Sequence, residues 1–321
     1  MRVLVTGGSG FIGVNIAEEL TKKGIDIVLC DLNDLPKEVE NALSNNQGSS
    51  VFCKADILDG NRLDEIIKEY SINMIIHAAV ITPGEDREQK QSKLIAQVNY
   101  LGTVEVLETA KRNNIEKLVY LSSASVYGDA VDGVDLISEE DTFPRPREMY
   151  AITKFAAERT AIRYKEMFDM NIVVGRIGGV FGPWERYTGF RDTMSGPFFT
   201  TRAAILGEKI ILSDAGVKDW VYSREIGKSV VALLLADKHK YDVYHLSSDF
   251  VWTVKDWCEK LIELYPNFEY EVLADPGVIE RPPLKIERLK EDIGYFPKFD
   301  LDKSFEDYMN WVKNMSDFWI K

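Results

Sequence analysis

The chain has 321 residues, 45% of them hydrophobic and 28% charged, enough to bury a sizeable core in one large domain joined to a smaller one. A formal charge of −13 with no basic cluster argues against nucleic acid as a partner, and no apolar run approaches the roughly 20 residues needed to span a bilayer. Three cysteines (Cys30, Cys53, Cys258) without metal-ligand spacing, and a first strand that begins at Arg2, set the expectation of a reduced cytoplasmic setting, no metal and no membrane. His77, His239 and His245 each stand alone and are read as structural.

Arg2-Val-Leu-Val-Thr6 reads as a short β-branched strand, followed by Gly7-Gly8-Ser9-Gly10-Phe11-Ile12-Gly13 and an amphipathic helix to about Lys23. Glycines at 7, 10 and 13 leave the turn tight, let the backbone approach a pyrophosphate and bring the helix close to the sheet. The helix amino terminus attracts the phosphate charge. A second strand, Ile25 to Cys30, ends in Asp31, at the distance where an acid meets the adenosine ribose hydroxyls of a bound dinucleotide. An acid there repels a 2′-phosphate and no arginine follows closely, so NAD is expected over NADP.

Beyond Pro36 the polar segment Asn41 to Ser50 reads as a loop. A strand from Val51 to Ala55 runs into Asp56-Ile57, and a helix from Leu63 to Tyr70 leads to a strand from Asn73 to His77. Ala78, Ala79 and Val80 follow, small residues suited to close approach by a cofactor. Gln89 to Arg112 is one long helical pattern that carries Asn99 and Gly102-Thr103. The alternation predicts an α/β fold, a doubly wound parallel Rossmann sheet with right-handed crossovers.

The apolar run Leu118 to Leu121 gives way to Ser122-Ser123-Ala124-Ser125, as a buried strand does where its carboxyl end opens into a crevice, which sets Ser123 at the mouth. Tyr150 and Lys154 lie four residues apart on a helical pattern and so share one face. A phenol titrates near 10 and is a poor base unless a neighbouring cation stabilises its anion, a task the spacing gives to Lys154. With Ser123 bonded to the substrate oxygen, the three form an acid/base site suited to interconverting an alcohol and a carbonyl. In a chain with fourteen tyrosines this spacing is expected about once by chance, so its weight rests on the hydride acceptor implied by the glycine turn.

A strand from Asn171 to Ile177 precedes a distinctive segment, 182–196, placed over the crevice by the sheet rule. Trp184, Arg186 and Arg191 offer it stacking surface and guanidinium forks for a sugar ring and a carboxylate or phosphate. The alternative is a surface loop in which the arginines pair with Glu185 and Asp192. The remaining pattern is a helix from Pro197 to Leu206, a strand from Glu208 to Leu212, a helix from Arg224 to Ala236 and a strand from Tyr241 to Leu246. Amphipathic helices from Trp252 to Leu264 and Ser304 to Val312 follow. The expected division is a NAD-binding domain of residues 1–177 with 224–247 returning to it, and a smaller C-terminal α/β substrate-binding domain of 178–223 and 248–321.

Thr6-Gly7-Gly-Ser-Gly10-Phe-Ile-Gly13, Asp31, Asp56-Ile57, His77-Ala-Ala, Asn99-Tyr-Leu-Gly-Thr103, Ser122-Ser123-Ala-Ser-Val-Tyr-Gly128, Tyr150-x-x-x-Lys154 and Arg176-Ile-Gly-Gly-Val-Phe-Gly-Pro183 together resemble the extended short-chain dehydrogenase/reductase family, in its NAD-dependent sugar epimerase/dehydratase group. The resemblance runs nearly end to end, since the tail from Lys285 to Asp300 is also similar. It implies Ser123, Tyr150 and Lys154 as the catalytic triad, with Lys154 also on the nicotinamide ribose. It implies a NAD site lined by Gly7, Gly10, Phe11, Ile12, Gly13, Asp31, Asp56 and Ile57, with Ala78, Ala79 and Asn99 beside them. Ser125, Lys218 and Arg281 fall at substrate contacts.

The 4,6-dehydratases of the group carry an Asp-Glu pair after the catalytic hydroxyl, where this chain has Ala124 and Ser125, so dehydration is disfavoured and the run resembles the 4-epimerases. Two positions depart from the nucleotide-sugar pattern: Gly179 replaces an asparagine, and Lys218 an arginine in Lys218-Asp219-Trp220-Val221-Tyr222. An amide donor is lost and a guanidinium fork becomes a point charge. The expected function is a nucleotide-sugar 4-epimerase; a NAD-dependent dehydrogenase of a non-nucleotide sugar or sugar acid, or a silent NAD-binding protein, are the alternatives. The family's pairing habit and apolar residues on several faces of the 89–112 and 150–167 helices lead to the expectation of a homodimer.

Overall fold

In the computed structural model residues 1–213, 216–273 and 281–319 are described. The strands are β1 (Arg2–Thr6), β2 (Asp26–Asp31), β3 (Ser50–Lys54), β4 (Met74–His77), β5 (Lys117–Ser123), β6 (Ile172–Ile177), β7 (Gly179–Phe181), β8 (Ile210–Leu212), β9 (Trp220–Tyr222), β10 (Val243–Leu246) and β11 (Tyr270–Val272). The helices are α1 (Phe11–Lys22), α2 (Lys37–Ser44), α3 (Gly60–Tyr70), α4 (Glu85–Ala96), α5 (Gly102–Arg112), α6 (Met149–Phe168), α7 (Gly196–Leu206), α8 (Ser223–Leu235), α9 (Val254–Leu264), α10 (Glu287–Glu291), α11 (Leu301–Asn314) and α12 (Ser316–Trp319).

The main sheet is parallel, in the order β10-β6-β5-β4-β1-β2-β3. Side chains alternate across it, and both faces are apolar because helices cover both. Val3, Val5, Ile27 and Leu29 join one core cluster, while Leu4, Val28 and Cys30 join the cluster on the other face. From β1 the chain builds outward in two directions, to β2 and β3 and then to β4, β5 and β6, so a crevice opens at the carboxyl ends where the order reverses. This is the expected doubly wound fold. Among the described residues no helix is long and apolar enough to cross a membrane.

Two elements differ from expectation. Part of the expected Asn41 to Ser50 loop belongs to α2: Val39 and Leu43, one turn apart, are both fully buried and hold a helix in a polar stretch. The long helix is interrupted. Gln91 leaves helical geometry (φ −134°, ψ 28°), and residues 97–101 form a π-helical turn before α5. That turn directs Asn99 into the protein, where its amide accepts from Ile81 N–H (2.8 Å) and donates to Ile81 C=O (2.9 Å).

Further along, β7 pairs with β9, and β8 with β11, in two small parallel sheets, while β10 returns to the main sheet beside β6 and α8 packs against α1. Aromatic rings join these pieces. Phe181 lies 5.2 to 6.4 Å, centroid to centroid, from Trp220, Tyr222, Trp252, Trp257 and Tyr308. Each such pair contributes about 1 kcal/mol beyond its buried area.

Candidate active site

A cleft of about 710 Å³ runs along the carboxyl ends of the strands. Its first half is shaped by the turn after β1. Gly7 adopts φ +69°, and a Cβ there would stand 2.7 Å from the Ala79 nitrogen; at Gly13 a Cβ would meet Gly7 O at 2.1 Å. Only glycine permits this cradle. Gly10 precedes α1 without a side-chain cap, and no acid occupies the first turn, so the helix amino terminus offers its dipole to an anion. The Asp31 carboxylate accepts from Ser9 N–H (3.1 Å) and Asn33 N–H (3.0 Å), which fixes it at the end of β2. Gly7, Gly10, Phe11, Ile12, Gly13, Asp31, Asp56, Ile57, Ala78 and Ala79 all line the cleft. A pyrophosphate held between two nucleosides fits these features: a backbone cradle, a helix amino terminus and an acid placed for ribose hydroxyls.

The second half holds the hydroxyl groups. Ser123 ends β5, its Oγ 3.0 Å from Ser125 Oγ and also accepting from Ser125 N–H. Tyr150 lies in the first turn of α6, Lys154 one turn on, and all four residues line the cleft. Burial lifts the Tyr150 phenol above its ordinary value, opposed by the Ser123 hydroxyl, the Arg191 guanidinium and the Thr82 hydroxyl, which favour the phenolate. Lys154 is buried at the cleft wall and falls from 10.5 to about 7 through burial, with Glu158 acting to keep it charged. Its Nζ sits 4.4 Å from the centroid of the Tyr120 ring. The four-residue spacing assigns Lys154 the work of stabilising the phenolate. Arg191 is a further cation that favours the phenolate, and burial draws Lys154 toward its neutral form.

Arg191 is mounted on a buried acid. Its Nη2 donates to Glu185 Oε1 (2.9 Å), and that carboxylate is fixed by the Ser195 N–H (2.8 Å) and hydroxyl (2.6 Å). The guanidinium carbon lies 5.2 Å from the centroid of the Phe11 ring, and its buried Nε has no partner among the described residues. Lys218 also lines the cleft, its Nζ 5.2 Å from the centroid of the Trp220 ring.

Four expected contacts lie elsewhere. Asn99, expected beside the cofactor, is 1% exposed and spends its amide on Ile81 and on Thr153, the residue before Lys154, so it braces the site from behind. Trp184, expected as stacking surface, is 1% exposed, donates to Glu18 Oε1 and packs on Trp311 and Phe318. Apolar surface next to the α11 and α12 aromatics outcompetes exposure to a sugar. Arg186, expected on the substrate, donates instead to the backbone oxygens of Ser9 and Trp184. Arg281, expected on a phosphate, is bound to the buried Asp219 (2.7 Å), which also takes the Ser247 hydroxyl and the Leu284 N–H. Conversely, Thr82, Thr188 and Phe190 line the cleft beside Arg191, although only Arg191 stood out in the sequence. Threonine and phenylalanine in a loop carry no periodic signal.

The fold and the glycine-turn cleft define a dinucleotide-binding α/β enzyme of the doubly wound type. Residues 3–246 match the NAD dependent epimerase/dehydratase family, and the chain belongs to that family, within the extended short-chain dehydrogenase/reductase group. It is an NAD-dependent enzyme. It is 27% identical to a putative UDP-glucose 4-epimerase of Methanocaldococcus jannaschii, over 97% of this chain and 98% of the relative. Its structure is similar to that of MoeE5 in complex with UDP-glucose and NAD (TM-score 0.80, 25% identity, 98% of this chain and 100% of the other). It also resembles the UDP-glucose 4-epimerase of Thermotoga maritima with UDP-glucose in fold (TM-score 0.84, 21% identity, 98% and 100%).

Proposed function

We propose that the protein is a nucleotide-sugar 4-epimerase in which Ser123, Tyr150 and Lys154 carry the proton chemistry. The observation that carries this reading is the sparseness of the site: beside Ser123 stand Ala124 and Ser125, with no carboxyl pair to drive elimination of water. One phenol then suffices. Tyr150 takes the proton of a sugar hydroxyl and later gives it back, while Ser123 bonds the same oxygen and Arg191 stabilises the charge left on the phenol. NAD, held by the glycine turn, Asp31, Asp56 and Ile57, supplies hydride acceptance and return when bound. In this reading the region of 178–223 and 248–321 forms the substrate side, with Arg191 and Lys218 as its contacts, and Ser125 of the 1–177 region is a further one.

The likeness to a putative UDP-glucose 4-epimerase supports the reading. A second reading, a NAD-dependent dehydrogenase of a sugar acid, is favoured by the diversion of Arg281 to Asp219 and by the unpartnered Arg191 Nε, a donor suited to a carboxylate. Purified protein incubated with UDP-glucose, UDP-galactose, UDP-glucuronate and free uronic acids separates the two. Interconversion of C4 epimers without net NADH supports the first, whereas absorbance at 340 nm growing only with free acids supports the second and overturns the first.

We also propose a homodimer through α4, α6 and the π-helical turn before α5, on which Leu94, Leu101, Ile152, Met167 and Phe168 remain exposed. Sedimentation at micromolar concentration should give twice the chain mass; a monomer refutes it.

A further inference from the structure

The segment following Trp184 makes contacts on both banks of the cleft. On the side of β1 and β2, Arg186 donates to Ser9 C=O and Asn33 Nδ2 donates to Thr188 C=O at 2.8 Å. On the side of β4, Thr82 N–H donates to Phe190 C=O (2.8 Å) and Asp192 N–H to Thr82 C=O (2.9 Å). Beyond that bridge, Arg87 grips Asp192 with both arms of its fork, Nε to Oδ2 at 2.6 Å and Nη2 to Oδ1 at 2.8 Å, and Gly84 N–H adds a third bond at 3.0 Å. Between the anchors, Thr188, Phe190 and Arg191 line the cleft. Residues 9, 33 and 82 follow three adjacent strands, β1, β2 and β4, so the segment crosses about 10 Å of sheet over the crevice a dinucleotide occupies.

We propose that residues 186–192 form a strap that closes over bound NAD, with Arg87 and Asp192 as its latch, so that the cofactor stays in place from one turnover to the next. The root of the strap is immobile, because Trp184 is buried and Trp319 Nε1 donates to Glu185 C=O at 3.1 Å. The far end is different. The Arg87 and Asp192 side chains are 21% and 28% exposed, and Gly189 bends at φ +80° with open space around it, so the strap swings when the latch opens. A captive cofactor suits chemistry that returns its hydride. The strap itself rests on the NAD site and not on the choice of sugar, so failure here leaves the epimerase reading standing, and the reverse.

The test is the release rate of radiolabelled NAD from the loaded protein during a chase with excess unlabelled NAD. Losing a charge-assisted fork of this kind, discounted for its partial exposure, should speed release about tenfold in both Arg87→Ala and Asp192→Asn. The double variant should release no faster than the faster single variant, since both remove one interaction. Arg87→Lys, which keeps the charge and loses the fork, should fall between. Lys90→Ala, which breaks an exposed pair with Asp86 one turn away, should leave release unchanged. Asn33→Ala opens the opposite anchor and should speed release even if Asp192→Asn fails to fold. Release within twofold of the native rate in Arg87→Ala and Asn33→Ala, with native circular dichroism, overturns the proposal, and so does equal acceleration by Lys90→Ala.

Discussion

Replacing Lys154 by methionine should abolish turnover and stabilise the cofactor-free protein. Burial moves this ammonium from 10.5 to about 7. Between those values the unfolded chain binds a proton that the folded chain does not, so the folded state is penalised below pH 7 and relieved as pH rises toward 10.5. At about 1.4 kcal/mol per unit, the penalty is about 4 kcal/mol at pH 7 and under about 1 kcal/mol at pH 10. Methionine has a similar shape and no charge. It forfeits the contact with the Tyr120 ring, worth about 1 kcal/mol, and leaves the Glu158 and Arg176 pair intact. A net gain of about 2 to 3 kcal/mol at neutral pH corresponds to a rise of about 5 °C in Tm for a chain of this size. Thermal unfolding by circular dichroism at pH 7 and pH 10 measures it. A fall in Tm at pH 7, or a gain that persists undiminished at pH 10, refutes the reasoning.

Tyr150→Phe should lower kcat by about a thousandfold or more while NAD affinity, measured by calorimetry, changes less than about threefold, because the ring stays and only the proton carrier is lost. Acid should weaken the fold early. Burial drives His77 and His245 to about 3, so both stay neutral in the folded protein while the unfolded chain protonates them below about 6.5. Stability present above pH 6.5 is therefore lost on acidification, by about 2 kcal/mol for each histidine between pH 7 and pH 5, and equal urea midpoints at those two values would contradict it. Asp31→Ala should narrow the preference for NAD over NADP by at least about tenfold in paired kcat/KM measurements, as removal of an anion facing a 2′-phosphate requires; an unchanged ratio counts against the role given to Asp31.

The glycine turn was legible because its local sequence dictates its geometry: Gly7 and Gly13 are forced by backbone collisions that any reader of the strand, turn and helix order can anticipate. The places of Asp31, Ser123, Tyr150 and Lys154 on the cleft were legible too, each sitting at a fixed offset from a strand end or helix start. The segment after Gly182 was not. Whether Trp184 faces a sugar or the core depends on α11 and α12, more than a hundred residues away, which supply Trp311 and Phe318. The destinations of Arg186 and Arg281 were hidden likewise, since Ser9 and Asp219 become their partners only once distant elements meet. Asn99 was misread through the π-helical turn, which rotates it inward in a way that a 3.6-residue period does not foresee.

The most direct test of the central claim is proton NMR of UDP-glucose incubated with the purified protein in deuterated buffer. The account predicts that the C4 epimer appears with hydrogen retained at C4, because the hydride is held by the cofactor and returned without passing through solvent. A 4-keto-6-deoxy product, or deuterium at C4, would contradict it.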